Sequence, residues 1–174
     1  MSLGPKEQTM SLGNILAAEL THEAQSARKM LERIPADKMS WKPHEKSMTM
    51  ERLAGHIAEM LMWTGSTLSA DELDFTKVDY KPKVYTDAAD LVADLDKNVA
   101  EAVEILNNTP NETFAENWTL RNGEQILFTM PKAAVMRGFV LSHIIHHRGQ
   151  LSVYMRLLDI PVPSIYGPSA DEQM

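Results

Sequence analysis

A chain of 174 residues with a formal net charge of −7 and no cysteine is bounded before any motif is read. It is long enough to bury a real core as one domain. Its acid excess, with no Lys/Arg run, argues against a phosphate-binding surface and so against nucleic acid, and the lack of cysteine excludes disulfides, thiolate ligands and a cysteine nucleophile. The hydrophobic share of 44% and charged share of 24% suit a soluble globular protein. No apolar run approaches the roughly 18 residues of a membrane span, and the N-terminus lacks the basic-then-apolar pattern of a secretory signal. A cytoplasmic protein with no membrane association is expected, as one domain over residues 11–174, with the first ten disordered or partly an expression remnant. Any metal must be held by His, Asp, Glu or backbone oxygen.

Apolar residues at three- and four-residue steps predict a first helix over 11–34, with Leu12, Ile15, Leu16, Leu20, Ala24, Ala27, Leu31 and Ile34 on one face. Pro35 ends it, because the residue before proline is pushed out of helical geometry. A polar, proline-containing loop follows. A second helix is predicted from near Thr49 to near Leu68, with Leu53, His56, Met60, Trp63 and Thr67 sharing a face. Residues 69–86 show no sustained period. The third helix spans 87–106, with Asp87 as N-cap and a stripe of Leu91, Leu95, Asn98, Ala102 and Ile105. Asn122-Gly123, between two short apolar runs, signals a hairpin, since both residues tolerate positive φ. Pro131 suits the first turn of a fourth helix reaching about residue 158. The tail cannot continue it, having three prolines, but Ile160, Val162, Ile165 and Tyr166 are apolar enough to fold back.

Four amphipathic helices imply an all-α fold, a four-helix bundle. The linker of about 18 residues between helices two and three could reach about 60 Å when extended, against about 30 Å for a 20-residue helix. Helices two and three can therefore run parallel, which allows an up-down-down-up topology with a long crossover and a short hairpin before helix four.

Three of the six histidines fall in "LSHIIHHRGQLSVYMRLL", residues 141–158. At about 100° per residue, His143 and His147 fall on one face with Phe139, Val140, Gln150 and Tyr154. The same stepping puts them at the centre of the buried stripe, with Arg137, Arg148, Ser152 and Arg156 opposite. An i, i+4 pair stacks two rings on one face, which suits joint metal coordination. A third ligand is then needed, and His56 is mid-stripe on helix two. Three histidines with open positions is the pattern of a reactive zinc or nickel site. His146 falls at the stripe's edge, either as a bystander or as a ligand or proton carrier. Glu59, one turn from His56, is either a partner to that ring or a solvated edge residue. Gln150 is placed to bond a ligand histidine or a substrate. His44 belongs to a polar loop. Glu19 and His22 show the Glu-x-x-His spacing of di-iron bundles, but no second copy exists.

"HIAEM" at His56, "HIIHHRGQLSVYMRLLDIPVPSIYGPSADE" from His143 and "IPADKMSWKPHEKSMTMERLAGH" before His56 resemble the DinB-like proteins, a damage-inducible metalloprotein family related to the YfiT-like hydrolases. The resemblance covers nearly the whole chain after residue 10. It implies an up-down-down-up bundle, often a homodimer, with zinc or nickel on His56, His143 and His147 by motif position. It also implies either hydrolysis or the transfer of a low-molecular-weight thiol to a small-molecule substrate. A metal-dependent enzyme activating water or a thiol cofactor is expected, with His146, Glu59 and Gln150 as candidate catalytic groups. The alternative is a non-catalytic, metal-stabilised bundle that binds a small ligand or protein partner.

Overall fold

The protein is described here from a computed structural model over residues 10–173. The expectation for the first ten residues, Met10 apart, lies outside the described residues. Four helical rods are formed. The first is α1, Leu12–Leu31. The second joins α2, Met50–Glu59, to α3, Trp63–Leu68, through a 3-10 turn at Met60–Met62. The third is α4, Ala88–Asn108. The fourth joins α5, Lys132–Val135, to α6, Ser142–Leu157, through a π-helical segment at Met136–Leu141.

Each of the first three rods begins on a side-chain cap. Ser11, Thr49 and Asp87 accept from the amides of Asn14, Arg52 and Asp90, satisfying donors that a helix start leaves orphaned. The fourth rod ends differently. Asp159 takes φ +54°, and the Ile160 amide returns to the Met155 carbonyl at 2.9 Å, which closes the last turn and sends the tail back over the bundle.

Residue pairs give the direction of each rod. Asn14 bonds Asn107 and Arg28 bonds Asp96, so α1 and α4 are antiparallel. Asn98 Nδ2 donates to the Ala58 carbonyl, while Gly65 sits against Ile105, so the second and third rods run the same way. Trp63 meets Phe139, and the Tyr154 hydroxyl reaches Met48, so the second and fourth are opposed. The order is up-down-down-up, and the crossover from α3 to α4 spans the bundle's length.

All-α does not describe the chain, because a three-stranded sheet is also present. Strand β2, Asn117–Asn122, pairs antiparallel with β3, Gln125–Pro131, and parallel with β1, Glu72–Asp74. The crossover thus supplies a strand that three residues were too short to announce by period. The sheet forms because Trp118 and Leu120 bury against Val135 and Trp63. Asp74 pins its edge. Its carboxylate accepts from the Gly123 amide (2.9 Å) and from the amide and hydroxyl of Thr76, and these bonds, that from Gly123 foremost, hold its pKa down to about 2. The hairpin turn is one residue later than the sequence signal. Asn122 pairs with Gln125, and only Gly123 takes positive φ, at +62°. Glycine meets that demand without a Cβ penalty.

The main core lies between the rods, on Leu20, Met30, Leu53, Ile57, Leu91, Leu95, Leu151 and Met155 among others. Ile15, expected on the buried face of α1, is 46% exposed. Gly13 lets α1 approach α4 closely. A Cβ there would stand 2.1 Å from the Leu106 carbonyl oxygen.

Candidate metal centre

His56 comes from α2, and His143 and His147 from successive turns of α6, so two opposed rods each bring imidazoles to one level of the bundle. The ring centroids are 5.3 Å apart for His56 and His143, 4.7 Å for His56 and His147, and 4.6 Å for His143 and His147. Each residue offers one ring nitrogen, and these three atoms lie within 4.8 Å of one another. This is a group that could hold a metal ion.

The hydrogen bonding prepares two of the rings for that task. His147 Nδ1–H donates to Gln150 Oε1 at 2.8 Å. That bond sets the tautomer and leaves a lone pair on Nε2. Nε2 is buried and has no hydrogen-bond partner, and the same is true of His56 Nδ1. An unpartnered buried ring nitrogen costs free energy, and a ligated ion removes that cost. Burial pushes the His56 pKa down to about 4, aided by the charges of His147, Arg52 and His143. Burial also lowers His147 against the opposing bond from Gln150, and lowers His143 against a backbone hydrogen bond with Phe139. All three are therefore neutral near pH 7, which is the form that binds metals.

Contrary to what rotation about the helix predicts, the buried face of α6 is not centred on its histidines. Its buried residues are Ile144, His147, Arg148, Leu151, Tyr154 and Met155, a face centred about 80° round from His143. His143 and His147 lie on the flank of that face rather than at its centre. Arg148, placed by rotation opposite the histidines, is only 2% exposed. It is buried because α1 packs there. Arg148 Nη1 meets Glu23 Oε2 at 2.6 Å, and the Tyr166 hydroxyl accepts from Nη2 and donates to Glu23. The flank position leaves the histidines room to reach solvent.

Two clefts use that room. One, of about 270 Å³, opens beside His56 and includes Arg52, Glu59, Trp63, Phe75 and Tyr80 in its lining. The other, of about 280 Å³, opens beside His147 and Gln150 and includes Lys46, Met48 and Tyr154. Glu59 does not bond His56. Its carboxylate takes Arg52 Nη1 (3.1 Å), the Tyr80 hydroxyl (2.5 Å) and the Lys83 amide (3.3 Å). His146 is exposed and outside the cluster, its ring 4.9 Å from that of His147. His44 is exposed in its loop, with Nδ1 accepting from the Lys46 amide. Arg52 and Tyr80 were not anticipated. Arg52 lies one turn before His56, a spacing that could have flagged it, whereas Tyr80 sits in a segment without any period.

A model of the DinB family matches residues 9–173. The chain belongs to the DinB family. A curated relative, the Bacillus subtilis (strain 168) protein described as uncharacterized protein YrdA, is 27% identical over 154 residues, covering 86% of this chain and 85% of its own. A DinB-like protein from Bacillus cereus ATCC 10987 superposes with a TM-score of 0.67 at 25% identity, over 87% of this chain and 95% of that one. The DinB-like protein YjoA from Bacillus subtilis has the same fold, with a TM-score of 0.68 at 19% identity over 92% of this chain and 100% of that one.

Proposed function

We infer that this DinB protein is a metal-dependent enzyme acting on a small molecule, with a divalent ion, zinc or nickel, on His56, His143 and His147. The observation that carries this reading is the convergence of three neutral imidazoles, two with buried, unpartnered ring nitrogens. A donor set of nitrogens alone fits zinc or nickel better than magnesium or calcium. When bound, such an ion supplies Lewis-acid chemistry, lowering the pKa of water or a low-molecular-weight thiol toward the working pH, for hydrolysis or thiol transfer. The chain's own residues do the rest. Gln150 orients His147, and one cleft admits reactants beside His56 and the other beside His147.

One observation favours the non-catalytic alternative, a metal-stabilised bundle that binds a ligand. Of the three candidate groups near the rings, Glu59 is committed to Arg52, Tyr80 and Lys83, and Gln150 to His147, which leaves exposed His146 as the uncommitted one. Metal-loaded protein screened for ester hydrolysis and for thiol transfer to electrophiles separates the two readings. Turnover that vanishes on chelation supports the enzyme, and a metal-replete but inert protein supports the alternative. A homodimer through helix faces is part of the same reading, supported by Val153 and Leu157, 57% and 59% exposed on α6. Light scattering at twice the 19.5 kDa chain mass is expected.

A further inference from the structure

The two clefts differ in chemistry. The one beside His147 is lined by Lys46, Ser47 and Gln150 together with Tyr154 and two apolar side chains. The one beside His56 is walled by Met62, Trp63, Leu73, Phe75 and Val78. Three of these side chains, Trp63, Leu73 and Phe75, are braced by the fold. Trp63 is held edge-on by Phe139 at 4.9 Å, Phe75 at 6.1 Å and Trp118 at 6.3 Å, so its ring belongs to the apolar cluster of Trp118, Leu120 and Val135 under the sheet. Leu73 and Phe75 come from β1 and the turn after it, which Asp74 ties to the hairpin. Met62 is 60% and Phe75 43% exposed. Contiguous apolar surface held open to water beside a polar cluster marks a ligand-binding cleft.

The polar residues of this cleft narrow the ligand further. Arg52 donates to Glu59 and to the Tyr80 hydroxyl, and Tyr80 donates to Glu59. The positive and negative charges are paired with each other, so they present no uncompensated charge to a ligand. The part of a ligand that lies here is therefore neutral. His56 belongs both to the cleft lining and to the histidine cluster, so one molecule can occupy both.

We propose that this cleft takes the uncharged apolar body, an alkyl chain or aromatic ring, of a small molecule whose donor group reaches the three histidines. The donor end rests on the metal reading above, and the apolar body does not. A homologous series of straight-chain hydroxamates, acetyl to octanoyl, is titrated into zinc-loaded protein by calorimetry. Affinity rises two- to fourfold per methylene until the cleft is filled, the upper value being that of full burial. Met62→Asp and Phe75→Asp, both at partly exposed positions, each flatten the series while zinc affinity stays within about twofold of wild type. A flat series in the wild type, or a rising one that survives both substitutions, overturns the proposal. Should the protein bind no zinc, the metal reading fails by itself and the cleft is tested on metal-free protein with indole, which lacks a chelating group. Binding lost in Met62→Asp then upholds the apolar body, and no binding by the wild type overturns it. If either variant loses its helical circular dichroism, the other decides.

Discussion

Replacing His147 with alanine should abolish most of the stabilisation that zinc confers. His147 provides one of three converging nitrogens, and its Nε2 has no partner within the protein. At a free-zinc concentration 1,000 times the dissociation constant, a ligand that binds only the folded state adds about 4.1 kcal/mol. For a chain of this size, each kcal/mol moves the melting temperature by roughly 2–4 °C, so wild type should gain roughly 8–16 °C. Loss of a ligand should weaken binding by at least the 10- to 100-fold typical of losing a supporting partner. A 100-fold loss leaves about 1.4 kcal/mol at the same zinc concentration, or roughly 3–6 °C. Melting followed by circular dichroism, with zinc buffered by a competing chelator, reads this directly. His56→Ala and His143→Ala should behave alike, and His146→Ala should keep the full rise. A His147→Ala protein with the wild-type zinc shift, or a His146→Ala protein without it, would refute the assigned cluster.

Other perturbations test the scaffold. The folded His56 pKa of about 4 lies below its ordinary 6.5, so the unfolded chain binds the proton more readily. Metal-free protein should lose stability as pH falls below 6.5 and level off near 4, by at most about 3 kcal/mol from this residue, checked by urea midpoints across that range. Arg148→Met leaves the Glu23 carboxylate buried with the Tyr166 hydroxyl as its remaining partner, and should cost about 3–5 kcal/mol. Adding Glu23→Leu should restore much of that, and additive losses in the thermal melts would contradict the pairing. Gly13→Ala should destabilise by about 1–3 kcal/mol through overpacking against Leu106, despite the better helix propensity of alanine. Chemical denaturation of the variant decides the sign.

The rods and the histidine cluster were legible because both depend on short periods. Asp87 could be read as a cap and Thr49 as a helix start, and the i, i+4 pair with His56 could be read as a converging set, since helix geometry carries such spacing into space without help from the rest of the chain. Strand β1 was not legible. Its partners lie 47 residues away, and three residues carry no measurable alternation. The depth of Arg148 was missed for a related reason. Rotation about one helix says which residues share a face, but not which neighbour covers it, and here α1 and the tail cover the charged side. The same neighbours displaced the buried face of α6 and left the histidines on its flank. Asn122 was one residue early because a two-residue turn needs positive φ where the pairing closes, and closure is a property of both strands.

The π-helical segment Met136–Leu141 has a meaning for the lineage of the chain. A π turn accommodates one residue more than the α-helix around it, so it is where a helix can absorb an insertion without rotating the turns beyond it. Val135 stays packed on Trp118 upstream, while His143 and His147 keep facing His56 downstream. Inside the segment, Gly138 has nothing within 4 Å of where a Cβ would stand. Relatives that lack one residue here should have an unbroken α-helix and the same imidazole geometry, and Phe139, beside Trp63 and His143, is the side chain whose position should differ between the two lengths. The segment is thus a place where the neighbourhood of the cluster can drift over generations while the cluster itself is held.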